Sequence, residues 1–235
     1  MKKYIGLLVC FCLSFGLHAQ GLIGAWERYS TSEHVKVKHV IIYTDDYYVL
    51  TAFNASTGEF VSTTGGRWEL EGDNMTEHIE FDSSNSDRVG TTISYSVSIT
   101  DSKLKHIESN TTFTQIDNGT PGALQGAWLM SGRVKDGTVQ SRDTTGPRKT
   151  MKILSGTRFQ WIAFNTETKE FKGTGGGTYT TNNGKYTENI AFFSKDNSKV
   201  GLSLSFNFEL IDGNWHHSGK SSKGDPIHEV WSIRD

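Results

Sequence analysis

Apolar residues recur at every second position over much of this chain. Val200, Leu202, Leu204, Phe206, Phe208 and Leu210 alternate with smaller or polar residues, and Val89, Ile93, Tyr95, Val97 and Ile99 keep the same beat earlier. A period of two over this length predicts half-buried strands. Turn sequences cut the runs: Glu71-Gly72-Asp73-Asn74, Asn182-Asn183-Gly184 and Asp212-Gly213-Asn214. Asn-Gly and Asp-Gly readily take the positive φ angles of tight hairpins. After the N-terminal segment, no window of ten residues carries an apolar period of 3.6. The chain is expected to be all-β, antiparallel and meandering.

The pattern occurs twice. Thr51–Gly90 and Ile162–Gly201 align without a gap at a constant offset of 111, so that Phe60 matches Phe171 and Glu77 matches Glu188. Two ungapped copies of a patterned block imply two copies of one fold. Each copy opens on Gly-Ala-Trp, at Gly24–Trp26 and Gly126–Trp128, where the offset is 102. The second copy therefore gains 9 residues between its Trp and the shared block. They fall in the polar stretch Asp136 to Lys149 and predict a lengthened hairpin loop. The expected layout is a signal peptide at 1–19, a first barrel at 20–117, a linker at 118–122 and a second barrel at 123–235. Copies of about 110 residues built from short strands must hide their edges, by closing into a barrel or by stacking as a sandwich. A barrel of about eight strands holds its own side chains or one small ligand.

Composition adds a compartment. Lys2 and Lys3, the apolar run Tyr4 to Leu17 and the site Leu17-His18-Ala19 read as a secretory signal, and the protein is expected to be secreted or periplasmic. The run is short for a membrane span, so no stable span is expected after cleavage. Both cysteines, Cys10 and Cys12, lie in that signal. The mature chain is then without disulfides, thiolate metal sites or cysteine nucleophiles. It would carry 22 basic and 26 acidic side chains, a net charge of −4, with no basic patch to suit nucleic acid.

Candidate chemistry gathers in the second copy. Glu188 shares a strand face with Tyr186, Ile190 and Phe192, as Glu77 does with Met75, Ile79 and Phe81. A carboxylate on an apolar face must be paired or hydrogen-bonded. Glu229 lies among Ile227, Trp231 and Ile233, and His217 has the parity of Trp215. By parity, the nearest donors to Glu188 are His217 and tyrosine hydroxyls. With Trp161, Tyr186 and Phe206, these residues describe an apolar pocket with a few convergent polar groups. The plain alternative is a structural cluster in which the acids pair with Arg, Lys or tyrosine. Adjacent His216 and His217 face opposite ways on a strand, which argues against a metal held by both. The run Gly173 to Gly177 opens no helix and lacks the Lys-Ser/Thr of a phosphate loop; it predicts a bulge. No motif fixes a reaction or a cofactor. The expected function is non-enzymatic binding of a small apolar or amphipathic molecule, mainly by the second barrel. The alternatives are a structural or interaction protein with filled barrels, or an enzyme using Glu188, His217 and Glu229.

The two Gly-Ala-Trp openings resemble the G-x-W of lipocalins and other calycin barrels. The second copy is more closely similar to secreted bacterial lipocalin-like proteins of unassigned activity. The matching residues are Ala163-Phe164-Asn165, Gly175 to Tyr179, Tyr186 to Ile190, Trp215 to Gly219 and Asp225 to Trp231. The resemblance implies that Trp26 and Trp128 plug the closed ends of their barrels. It also implies that Arg234 lies over Trp128, with Ile116 or a neighbour at its place in the first copy.

Overall fold

The computed structural model describes residues 21–120 and 122–234. The expected signal segment lies outside the described residues. Eight strands form the first unit: β1 (Gly24–Ser32), β2 (Val35–Tyr43), β3 (Tyr47–Asn54), β4 (Phe60–Glu71), β5 (Asn74–Asp82), β6 (Thr92–Thr100), β7 (Lys103–His106) and β8 (Thr111–Asp117). Each pairs antiparallel with the next, and β8 returns to β1 to close a barrel. The second unit holds β9 (Gly126–Lys135), β10 (Thr138–Ser141), β11 (Arg148–Leu154), β12 (Arg158–Asn165) and β13 (Phe171–Asn182). It continues with β14 (Lys185–Phe193), β15 (Ser203–Ile211), β16 (Asn214–Lys220) and β17 (Pro226–Ile233). Here β9 and β11 to β17 close a second eight-stranded barrel through the β9–β17 pairing. Closure leaves no long unpaired edge in either unit.

The 9 additional residues do not lengthen the hairpin tip. That tip is still two residues, Asp136 and Gly137, both at positive φ. Instead the strand equivalent to β2 is split in two. β10 pairs with Gly132–Lys135 of β9, β11 pairs with Gly126–Leu129, and 142–147 loop out between them. An excursion inside a strand keeps the tight turn and both halves of the ladder.

Trp26 and Trp128 take equivalent buried positions. The indole of Trp26 donates to the Leu22 carbonyl at 2.8 Å, and that of Trp128 to the Leu124 carbonyl at 2.9 Å. The bonds satisfy the one polar atom that each large apolar ring carries into the core.

The glycine run forms the predicted bulge, and the bulge re-aims the strands. Between Gly176 and Gly177 the register with β14 slips by one residue, and the same slip occurs between Gly65 and Gly66 on β5. A Cβ on Gly177 would stand 2.0 Å from the Asn189 carbonyl oxygen, and one on Gly66 1.9 Å from that of His78. Only glycine permits so close a backbone approach. The extra residue turns Phe81 and Phe192 outward, although strict alternation placed them inward with Glu77 and Glu188.

Those outward rings join the two barrels. Phe53 stacks on Phe192 at 5.0 Å between centroids, and their counterparts Phe164 and Phe81 meet at 4.8 Å. Phe60 and Phe171, counterparts of each other, face across at 6.0 Å. Such reciprocal pairing is what a two-fold relation between like units produces. Around it lie Ile42, Val49, Leu129, Met151, Ile153 and Ile162, all buried. Gln160 sits among them, donating to Thr63 and Thr174 and accepting from Thr51.

Arg234 serves this contact and not the barrel plug. Its guanidinium meets both Glu80 carboxylate oxygens at 2.8 Å and stacks 4.2 Å from the Tyr47 ring centroid, both in the first barrel. The expectation that it covers Trp128 is therefore corrected. Glu80, on the bulged turn of β5, supplies a carboxylate that the guanidinium can grip with two bonds.

Candidate functional site

The second barrel is hollow at one end. A cavity of about 250 Å³, open to solvent, lies among β11, β12 and β14 to β17 and the turn at Ser221 and Ser222. Aromatic and aliphatic walls come from Trp161, Phe193, Leu204, Phe206, Ile227 and Trp231. Each arrives by strand alternation except Phe193, which the bulge beside Phe192 turns inward. The polar lining is Lys152, Glu188, His217, Glu229 and Thr150, with the two serines. Five of the six ligand-binding residues expected from the sequence line this space: Glu188, His217, Glu229, Trp161 and Phe206. Tyr186 does not. It is fully buried, its ring 5.0 Å from Trp215 and 5.7 Å from His217.

Glu188 is held by a residue that strand parity alone did not single out. Lys152 Nζ donates to Glu188 Oε1 at 2.8 Å, with both side chains buried. His217 is therefore not the partner of Glu188. The ammonium also lies 5.1, 4.9 and 5.2 Å from the ring centroids of Tyr186, Trp215 and Trp231. Aromatic faces attract a cation, and they do so more strongly away from water. Thus the lysine is fixed by one carboxylate and three rings. The only sequence signal for it was a lysine in the apolar run Met151 to Leu154, where the first copy carries Ile41.

His217 makes a second pair, with Glu229. These residues stand directly opposite on β16 and β17, and Nδ1 lies 3.5 Å from Oε2. That separation is long for a hydrogen bond, and both ring nitrogens are buried without a partner inside hydrogen-bond geometry. Burial, with the Lys152 ammonium adding to it, pushes the His217 pKa down to about 4. The imidazole is neutral at pH 7. Burial pushes Glu229 upward, but the His217 contact and the positive charges of Lys152 and Arg133 outweigh it, leaving its pKa lowered. The Trp231 indole N–H is also buried without an acceptor. In native proteins such groups are rare unless water, an ion or a ligand completes them.

His216 points away from the cavity, its Nδ1 3.4 Å from His228 Nε2. Among the described residues no group of three or more His, Cys, Asp or Glu is placed to share a metal ion.

The geometry defines a tandem β-barrel protein in which a hollow second barrel has an aromatic wall and a charged floor. Residues 123–233, which span that barrel, match the family described as a domain of unknown function, DUF4488. No curated protein matches the chain.

Proposed function

We propose that the protein is an exported, non-enzymatic binder of a small, partly apolar molecule, taken up by the second barrel. The observation that carries this reading is the cavity of about 250 Å³, into which His217, with two buried unpartnered nitrogens, is placed beside Glu229 and Trp231. An apolar chamber with a few convergent polar groups is the usual form of a small-molecule site. The Lys152–Glu188 pair supports the floor, and its charges are already matched. His217, Glu229 and Trp231 are the groups left to meet a ligand: a neutral imidazole, an ionised carboxylate and an indole donor. The N-terminal pattern Met1 to Ala19 supports export.

Native mass spectrometry of protein purified from its own host tests the proposal. A retained mass on the wild type that is lost in Glu229→Gln is the expected result. Bare protein in both, together with no binding by a panel of amphipathic probes, would refute it.

A further inference from the structure

The first barrel also has an open mouth, and its chemistry is of the other sign. A cavity of about 290 Å³ lies between β1 to β5 and the turn carrying Arg88. It is lined by Arg28, His39, Leu50, Thr63, Thr64 and Asp82, among others. Arg28 stands on β1 directly opposite His39 on β2, and both side chains share the inner parity of Trp26 and Ile41. At the corresponding place the second barrel has Met130.

Arg28 enters into none of the ion pairs among the described residues. Its Nε is buried without a hydrogen-bond partner. Its guanidinium carbon lies 5.4 Å from the Phe113 ring centroid. The acids nearby are engaged elsewhere. Asp82 Oδ2 accepts from Arg88 at 2.6 Å, and Glu77 Oε1 accepts from the Tyr95 hydroxyl at 2.6 Å. Burial also raises the Glu77 pKa, which favours its neutral form. Burial and then Arg28 lower both His39, to about 4, and His106, so neither adds nor removes charge at pH 7. A guanidinium at a solvent-reaching cavity, half withdrawn from water and without a carboxylate, lacks the partner it is built to grip.

We propose that the mouth of the first barrel is a second site, separate from the one above, which takes a small carboxylate-bearing molecule with its carboxylate on Arg28. Thr64 and the apolar edge of Leu50 line the space beside it. Planar two-point recognition of a carboxylate is what a guanidinium offers over an ammonium.

The test is a titration of the intact two-barrel protein with sodium benzoate, followed by nuclear magnetic resonance of side-chain N–H groups. Saturable shifts of the Arg28 Nε–H and the His39 ring are expected, and benzylammonium chloride should produce none. Arg28→Met, which copies the second barrel, should weaken binding by roughly 10- to 100-fold, the effect of losing a charge-assisted hydrogen bond. Arg28→Gln gives the same comparison should the Met variant not fold. The absence of a saturable shift at Arg28, or equal affinity after its replacement, would overturn the proposal. The indole signals of Trp161 and Trp231 report the other barrel separately, so failure at one site is distinguishable from failure at the other.

Discussion

In the first barrel the buried Glu77 accepts from a tyrosine, whereas in the second its counterpart Glu188 accepts from a lysine. The backbones around them share a topology, a glycine bulge and an inward histidine, His106 or His217. Among the side chains that differ are one on the second strand, Ile41 or Lys152, one on the third, Tyr48 or Phe159, and one on the sixth, Tyr95 or Phe206. A buried carboxyl group thus meets its need in two ways on the same scaffold. It is either pushed toward its neutral form and hydrogen-bonded to tyrosine, or set against a lysine ammonium. The choice moves the free charge of each barrel. With Lys152 matched to Glu188, the second barrel presents Glu229 to its cavity. With Glu77 satisfied by tyrosine, the first presents Arg28.

The most disruptive way to break this comparison is to give the second barrel the isoleucine of the first. Lys152→Ile leaves Glu188 buried without its cation and should cost about 3–5 kcal/mol. Adding Phe206→Tyr supplies the hydroxyl that Tyr95 provides and should recover about 1 kcal/mol. Denaturant midpoints measure both, and a loss below about 1 kcal/mol for the single variant would show that the ion pair does not hold Glu188. Trp26→Ala and Trp128→Ala sharpen the likeness instead. Each removes an equivalent buried ring and should cost about 3–5 kcal/mol by the same assay. A large effect in one barrel and none in the other would break the equivalence.

Arg234→Met addresses a polar contact that the reciprocal interface does not repeat, the grip of the second barrel's last strand on Glu80. Losing both bonds to Glu80 should cost about 1–3 kcal/mol and leave ligand retention unchanged. A Glu80→Gln partner variant in a double-mutant cycle isolates the pair.

The smallest effect is in pH dependence, where His217 of the second barrel and Glu77 of the first should act in opposite directions. His217 has a folded pKa near 4 against an ordinary 6.5. The unfolded chain therefore binds the proton first, and stability is lost as pH falls from about 6.5 to 4. Glu77 is raised above its ordinary 4.5, so its contribution is complete below that value and lost as pH rises through the folded pKa. His217→Gln should flatten the acid side, and Glu77→Gln the side above 4.5, each by up to about 1.4 kcal/mol per pH unit. Stability curves against pH that are unchanged by either substitution would contradict the assignments.

Alternation and repetition made the strands, the duplication and most of the second cavity legible in the sequence. Glu188, His217, Glu229, Trp161 and Phe206 were placed together because strand parity fixes the face a residue takes. Parity fails where a bulge inserts a residue, which is why Phe81 and Phe192 turned outward. Lys152 was hidden for a related reason. Its strand is buried on both faces, with Met151 and Ile153 against the other barrel, so no alternation marked the lysine as inward. Arg234 was misplaced because its partner lies in the other copy, 154 residues away. A pattern read within one repeat carries no information about contacts between repeats.

The account depends most on the second barrel being hollow and receptive. Titration with 1-aminoanthracene, whose fluorescence rises in apolar surroundings, tests this on the wild type and on Leu204→Trp, which places an indole in the cavity. A saturable rise in the wild type that is lost in Leu204→Trp and kept in Arg28→Met is the predicted result. No rise in the wild type, or an equal rise with the cavity filled, would contradict it.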